Sequence, residues 1–261
     1  MRLKARIERE PLLNLLTIIT SLERVGKRCV LFLTEDKVNI AIVESNSESL
    51  RGYAEINAND IFLDYRIASN NENTIMLQLS VDHLSKALAS GRNALECTIK
   101  LVKRQDQPCL AFEAKASGGL TVDILHDIPI LLMKVTDLHY YLPPPMAPPS
   151  VALILNRTKL IRNIIDKMNK FSKTVDITAY QNGRLIFHID GACTISTYVN
   201  NLTPSYEGDL TEQEDSGNMS QVVVDNRKLS VLLNVIPTIH SNPPTLCKLL
   251  YLSILIYTLL I

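Results

Sequence analysis

The 261 residues suffice for one large domain or two ordinary ones, and with 46% apolar side chains a sizeable core can be buried. Lys plus Arg and Asp plus Glu balance at 27 each, so bulk charge points neither towards nucleic acid nor away from it. Five scattered cysteines, without a C-x-x-C pair or metal-ligand spacing, argue against a disulfide framework or zinc module and for reduced thiols in a cytosolic or nuclear compartment.

The charged, alternating start MRLKARIERE is unlike a signal or transit peptide and reads as a strand, LKARI, entering a helix at Glu8. Glu8 is a poor cap, although Pro11 suits an early helical position. The hairpin CVLFL-TEDK-VNIAIV (29–43) and further strand-like text, YAEINANDIFLDYRI, follow. A new strand, IMLQL, then meets Ser80, a good N-cap, and a second helix. After it come CTIKLV-KRQDQP-CLAFEA (97–114), with KRQDQP as the turn, and LTVDILHDIPILLM. In YYLPPPMAPP (140–149) prolines fix φ and remove donors, which predicts an extended, stiff connection.

Beyond it the pattern restarts. VALIL runs to the cap Asn156, a helix is predicted over 157–173, and VDITAY-QNG-RLIFHI (175–189) forms a hairpin whose Asn182-Gly183 pair tolerates positive φ. CTISTYV reads as another strand, and the acidic YEGDLTEQEDSG (206–217) as a solvated loop. QVVV then leads into the cap Asp225 and a fourth helix, which Ile236-Pro237 breaks early. The closing NPPTLCKLLYLSILIYTLLI has no turn signal and no alternation; its last apolar run, 249–261, is short of the roughly 20 residues that span a bilayer.

The caps at 8, 80, 156 and 225 are 72, 76 and 69 residues apart (80−8, 156−80, 225−156). Four residues past each stands Leu12, Leu84, Leu160 or Leu229, and eight past each Leu16, Leu88, Ile164 or Leu233. Matching strands precede the caps, and three of the four helices are followed by hairpins. A fourfold strand–helix–strands unit explains this; packing alone, which often produces such units in α+β domains, is the alternative. The expected organisation is a first domain over 1–134, a proline-rich linker over 135–149 and a second domain over 150–261.

Charge is uneven. The third helix has Arg157, Lys159, Arg162, Lys167, Lys170 and Lys173 against Asp166, a local net charge of +5. At 100° per residue its apolar side holds Leu160, Ile161, Ile164, Ile165, Met168 and Phe171, leaving Lys159, Arg162, Lys170 and Lys173 outward. The same construction turns Lys86 and Asn93 outward on the second helix, Arg227 and Lys228 on the fourth, and Asn14, Ser21, Arg24 and Arg28 on the first. Four helices on one side of a continuous sheet would make a basic surface suited to phosphate backbones. A solvated helix face is the plainer reading, which the scarcity of acids on the third helix disfavours.

No P-loop, nucleophile elbow, H-E-x-x-H, dinucleotide fingerprint or EF-hand occurs, the five histidines are isolated, and neighbours such as His126-Asp127 on a strand point to opposite faces. The reading is a non-enzyme without metal or cofactor.

MRLKARI, LSVDHLSKALASGRNA, PCLAFE followed by LHDIPI, and VDNRKLSVLL resemble the DNA sliding clamps, and among them the Hus-one (Mec-three) family of checkpoint-clamp subunits, over residues 1 to about 235. The resemblance implies an α+β, sliding-clamp (PCNA-like) fold: two similar domains, each of two strand–helix–strands repeats, with helices on one face of antiparallel sheets. It implies a non-enzymatic nuclear subunit, found also in the cytoplasm, of a heterotrimeric ring around double-stranded DNA. Its partners would be Rad-nine-like and Rad-one-like subunits, an ATP-driven clamp loader, and repair and checkpoint proteins docking near the linker, with no small-molecule substrate. Lys159, Arg162, Lys170, Lys173, Lys86, Arg227, Lys228 and Arg24 would face phosphates. The tail departs from the family pattern, replacing strands that should complete the second domain. Two rivals are a self-assembling processivity clamp and a membrane-tethered interaction protein using that tail.

Overall fold

The computed structural model describes residues 1–42, 50–116, 123–143, 151–155, 158–204, 219–235, 246–249 and 254–255. The chain divides into two units, Met1–Pro144 and Pro145–Ile261.

The first unit runs β1 (Arg2–Glu8), α1 (Arg9–Leu22), β2 (Arg28–Leu33), β3 (Lys37–Ile42), β4 (Gly52–Asn57), α2 (Ala58–Ile61), β5 (Asp64–Ala68), β6 (Ile75–Ser80), α3 (Val81–Ser90), β7 (Ala94–Arg104), β8 (Gln107–Ala116) and β9 (Asp123–Leu132). Its nine strands form one antiparallel sheet, ordered β4-β3-β2-β6-β9-β8-β7-β1-β5. Alternation along β1 buries Leu3, Ala5 and Ile7 and exposes Arg2 and Lys4. The helices cover the apolar face: Leu12 and Leu16 of α1, with Leu84 and Leu88 of α3, are all core residues, as their spacing from the caps predicts.

The second unit runs β10 (Val151–Ile154), α4 (Thr158–Met168), β11 (Thr174–Tyr180), β12 (Leu185–Ile189), β13 (Ile195–Val199), β14 (Thr203–Pro204), β15 (Met219–Asp225), α5 (Asn226–Val235), β16 (Leu246–Leu249) and β17 (Ile254–Leu255). It repeats the first unit's pairing. As β1 lies between β5 and β7, β10 lies between β14 and β16; as β2 lies between β3 and β6, β11 lies between β12 and β15. Among the described residues nothing corresponds to β9, which joins the halves of the first sheet, so the second unit has two four-stranded sheets. Its core gathers Leu153, Ile161, Ile165, Met168, Ile177, Phe187, Leu229 and Leu233.

Several expectations are corrected. The turn read as KRQDQP tightens to Gln105 and Asp106, both at positive φ (46° and 67°), as a two-residue hairpin turn demands; Pro108 joins β8 opposite Lys103. YAEINANDIFLDYRI is broken by the single helical turn α2. Part of the expected linker, Val135–Tyr140, is a 3₁₀ helix; the prolines at 144–149 lie outside the described residues, as does the acidic loop. Ser80 and Glu8 hold the cap positions without a side-chain cap bond. Asp225 does cap, its Oδ1 accepting from the backbone N–H of Arg227 (2.9 Å) and Lys228 (3.0 Å). Asn156 is outside the described residues. The tail, read as lacking strand character, supplies β16, which pairs with β10 from Val151↔Leu249 to Ile154↔Leu246. No helix among the described residues is long and apolar enough to cross a membrane.

Candidate nucleic-acid interface

α4 and α5 lie side by side and antiparallel, because Arg162 meets Asn234 while Asp166, four residues on, meets Ser230, four residues back. The Arg162 guanidinium donates to Asn234 Oδ1 (3.1 Å), the Ser230 hydroxyl to Asp166 Oδ1 (2.5 Å), and the Asn234 amide to the Ser230 carbonyl (2.9 Å). Arg162 is therefore half-buried at a seam instead of fully outward, and the only acid of α4 is engaged at the same seam.

α4 ends at Met168, whose carbonyl accepts from Phe171 N (2.9 Å) and Ser172 N (3.1 Å). Lys170 and Lys173 consequently sit in the connection to β11, exposed. Phe171, beyond the last turn, no longer follows the helical projection and is 46% exposed; Leu160, at the margin of the apolar stripe, is 50% exposed. Both were expected in the core.

At the far end of this helix pair, Asn226 is fully buried. Its amide donates to the carbonyls of Ser172 (2.9 Å) and Thr174 (3.2 Å), and its backbone N–H to that of Lys173 (2.9 Å). This clasp holds the start of α5, just before Arg227 and Lys228, against the end of the α4 connection at Lys173. Arg227 is exposed and Lys228 half-buried. The clasp has no sequence signal beyond an amide next to a capping aspartate. Lys159 stands exposed near the opposite end of the pair.

In the first unit, Lys86 of α3 is exposed and pairs with Asp82 at 2.7 Å. Its ammonium is held above the ordinary lysine range mainly by that hydrogen bond and charge, with Glu23 adding a little. Arg24 is exposed just past the end of α1, beside Glu23, and Arg28 opens β2. Asn14 and Asn93 are exposed as expected, but Ser21 is buried, its hydroxyl donating to Thr17 O (2.8 Å) within α1. Among the described residues Lys86 thus has an acid partner, whereas Lys159, Lys170, Lys173, Arg227 and Lys228 of the second unit have no ion pair. Among the described residues no group of His, Cys, Asp and Glu could hold a metal ion.

The family model described as Hus1-like protein matches residues 1–256, which takes the likeness through the tail. The checkpoint protein hus1 homolog of Dictyostelium discoideum is 28% identical over 238 residues, 90% of this chain and 86% of that protein. Checkpoint protein HUS1 of Homo sapiens is 28% identical over 241 residues, 88% and 85% of the two chains. Checkpoint protein hus1 of Schizosaccharomyces pombe is 29% identical over 188 residues, 71% of this chain and 64% of that one. Among solved structures, the proliferating cellular nuclear antigen of Entamoeba histolytica superposes with TM-score 0.68 at 14% identity, over 95% of this chain and 89% of that one. That of Thermococcus kodakaraensis gives 0.65 at 12% identity, over 94% and 89%. The fold is that of the sliding clamps.

Proposed function

The chain belongs to the Hus1-like family of checkpoint clamp subunits, and from that premise we propose that it is one non-enzymatic arc of a nuclear ring through which duplex DNA passes. Rad-nine-like and Rad-one-like subunits complete the ring, an ATP-driven loader closes it around DNA, and the closed ring scaffolds repair and checkpoint proteins. The observation that carries the DNA-facing assignment is the cluster at the end of the α4–α5 pair. Lys170 and Lys173 lie in the connection that Asn226 grips and Arg227 and Lys228 follow Asn226 in the chain, and no carboxylate pairs with their side chains among the described residues. Such a cluster attracts phosphates by releasing counterions and reads no sequence, which suits a ring that slides. Lys159 extends the same helix pair; Lys86 and Arg24 contribute less, because acids stand beside them.

The test is equilibrium binding of the full chain to a short linear duplex at increasing salt. Replacing Lys170, Lys173 and Arg227 with Glu is expected to lower affinity and to flatten the salt dependence by about 0.9 in log–log slope per lost phosphate contact. Affinity that keeps its full salt slope in the triple variant refutes the assignment. A stable homotrimer formed without the other two subunits would favour a self-assembling clamp.

A further inference from the structure

The face of the first sheet opposite α1 and α3 carries an arrangement that folding alone does not favour. On it β1 presents Arg2, Lys4 and Arg6 at alternate positions. The register sets Arg66 of β5 directly opposite Lys4 on one side and Lys100 of β7 directly opposite on the other. Lys4 thus has four cationic nearest neighbours: two about 7 Å away along its own strand and two about 5 Å away across the ladder. Like charges directly opposite one another destabilise a sheet. Three of these neighbours have a carboxylate on another side: Arg6 meets Glu96 at 3.8 Å, Arg66 meets Asp64 at 3.0 Å, and Lys100 meets Glu113 at 2.6 Å. Lys4 and Arg2 are exposed and have no ion-pair or hydrogen-bond partner among the described residues.

We propose that this cluster docks an acidic segment of a partner protein, with a carboxylate seated on Lys4 between Arg66 and Lys100. Charge complementarity sets the sign of the occupant, and the surrounding acids set its size. Asp64 stands directly opposite Arg6, with Glu96 and Glu113 also bordering the cluster, so a duplex, with a charge about every 1.7 Å of its axis, would run phosphates over them. A short extended segment centred on Arg2 and Lys4 stays clear of most of them. Its alternate side chains repeat at about 7 Å, matching the spacing of Arg2 and Lys4 along β1. Within the first unit this face lies opposite the one that α1 and α3 cover.

The full chain is titrated by anisotropy with fluorescein-labelled hexaglutamate and, separately, with a labelled short duplex, using wild type, Lys4→Gln, Lys4→Glu and Lys170→Glu. Salt-sensitive hexaglutamate binding is expected, weakened several-fold by Lys4→Gln and about tenfold by Lys4→Glu, the scale of one lost charge-assisted contact. Lys170→Glu should leave peptide binding unchanged, and neither Lys4 variant should alter duplex binding. Urea unfolding should show both Lys4 variants at least as stable as wild type, since each relieves repulsion. The proposal is overturned by peptide binding indifferent to both Lys4 variants, by an equal loss on Lys170→Glu, or by duplex binding that falls with Lys4→Glu. Destabilised Lys4 variants would overturn its electrostatic premise.

Discussion

Replacing Arg162 with Glu separates two roles that sequence alone merges. On a helical wheel Arg162 belongs with Lys159 and Lys170, and reversing any of them should weaken DNA association and leave the fold intact. Of these three residues only Arg162 bonds across the α4–α5 seam among the described residues, at 3.1 Å to Asn234 Oδ1, beside the Ser230–Asp166 bond. Losing a half-buried hydrogen bond from a charged donor costs about 1.5–3 kcal/mol. A Glu at 162 also faces Asp166 at i+4, adding about 0.3 kcal/mol of like-charge repulsion. The Asn234 amide could turn over to donate to the new carboxylate, but only by giving up its bond to Ser230 O. The net expectation is about 2 kcal/mol for Arg162→Glu and within about 0.5 kcal/mol for Lys159→Glu at its exposed site. With a urea dependence of about 2 kcal/mol per molar, Arg162→Glu lowers the midpoint by about 1 M. The chain has no tryptophan, so circular dichroism is the probe. A double-mutant cycle over Arg162→Ala and Asn234→Ala should return about 1 kcal/mol of coupling. An Arg162→Glu midpoint equal to that of Lys159→Glu, or a cycle that closes additively, refutes the strut.

Gly91→Ala should destabilise by about 1–3 kcal/mol, since its Cβ would lie 2.7 Å from Phe112 Cζ and 2.8 Å from Cys97 Sγ in a packed core; an unchanged urea midpoint would contradict the packing. Gly183→Ala should cost at least as much by a different route, because it imposes φ near +83° and sets a Cβ 2.1 Å from the Leu202 carbonyl oxygen. Burial pushes the Cys29 and Cys97 thiols up from 9.0 to about 12 and about 11. The unfolded chain therefore releases these protons first: their contribution to stability is whole below pH 9 and is lost as pH rises towards 11 and 12. Urea midpoints at pH 8 and pH 10 should converge in a Cys29→Ala variant relative to wild type. In a Cys247→Ser background at pH 8, a thiol reagent should modify Cys193 first and reach Cys29 and Cys97 only on unfolding.

What was legible followed from local periodicity. At three of the four caps the leucines four and eight positions on mark the buried helical side, Leu160 of α4 being the exception, and alternation on β1 and β11 announces the sheet's inner face. Asp225 was legible because a capping carboxylate acts on N–H groups two and three residues away. The misses share one cause: the deciding partner is distant in sequence. The Arg162–Asn234 bond spans 72 residues and the Asn226–Ser172 bond 54, so neither leaves a pattern in a local window. The placement of Phe171 depends on α4 stopping at Met168 so that Asn226 can grip Ser172 and Thr174. No residue near 168 announces that stop. The cationic surround of Lys4 is likewise a product of register, assembled from three strands that the sequence separates by about sixty and about thirty residues.

The tail gives the sharpest contrast between pattern and pairing. Read as text, 242–261 has no turn signal and no alternation and ends in an apolar run over 249–261; in the structure Leu246–Leu249 is the long partner of β10, whose other neighbour, β14, pairs over only Leu153 and Ile154. Val151 and Leu153 are buried core residues, so β10 anchors one half of the second unit's core. Truncating the chain after Thr245 removes the ladder from Val151↔Leu249 to Ile154↔Leu246 and leaves a strand of four residues held by a partner of two. Four lost main-chain pairs at about 1 kcal/mol each approach the whole stability of an ordinary domain. The truncated chain should therefore give two urea transitions, with the second unit unfolding first, and limited proteolysis should cut within 151–235 while sparing 1–116. Detergent should not rescue it, since a strand needs a ladder and not a solvent for its side chains. A single wild-type transition after truncation would show that β10 does not depend on β16; recovery in detergent would return the tail to the membrane reading.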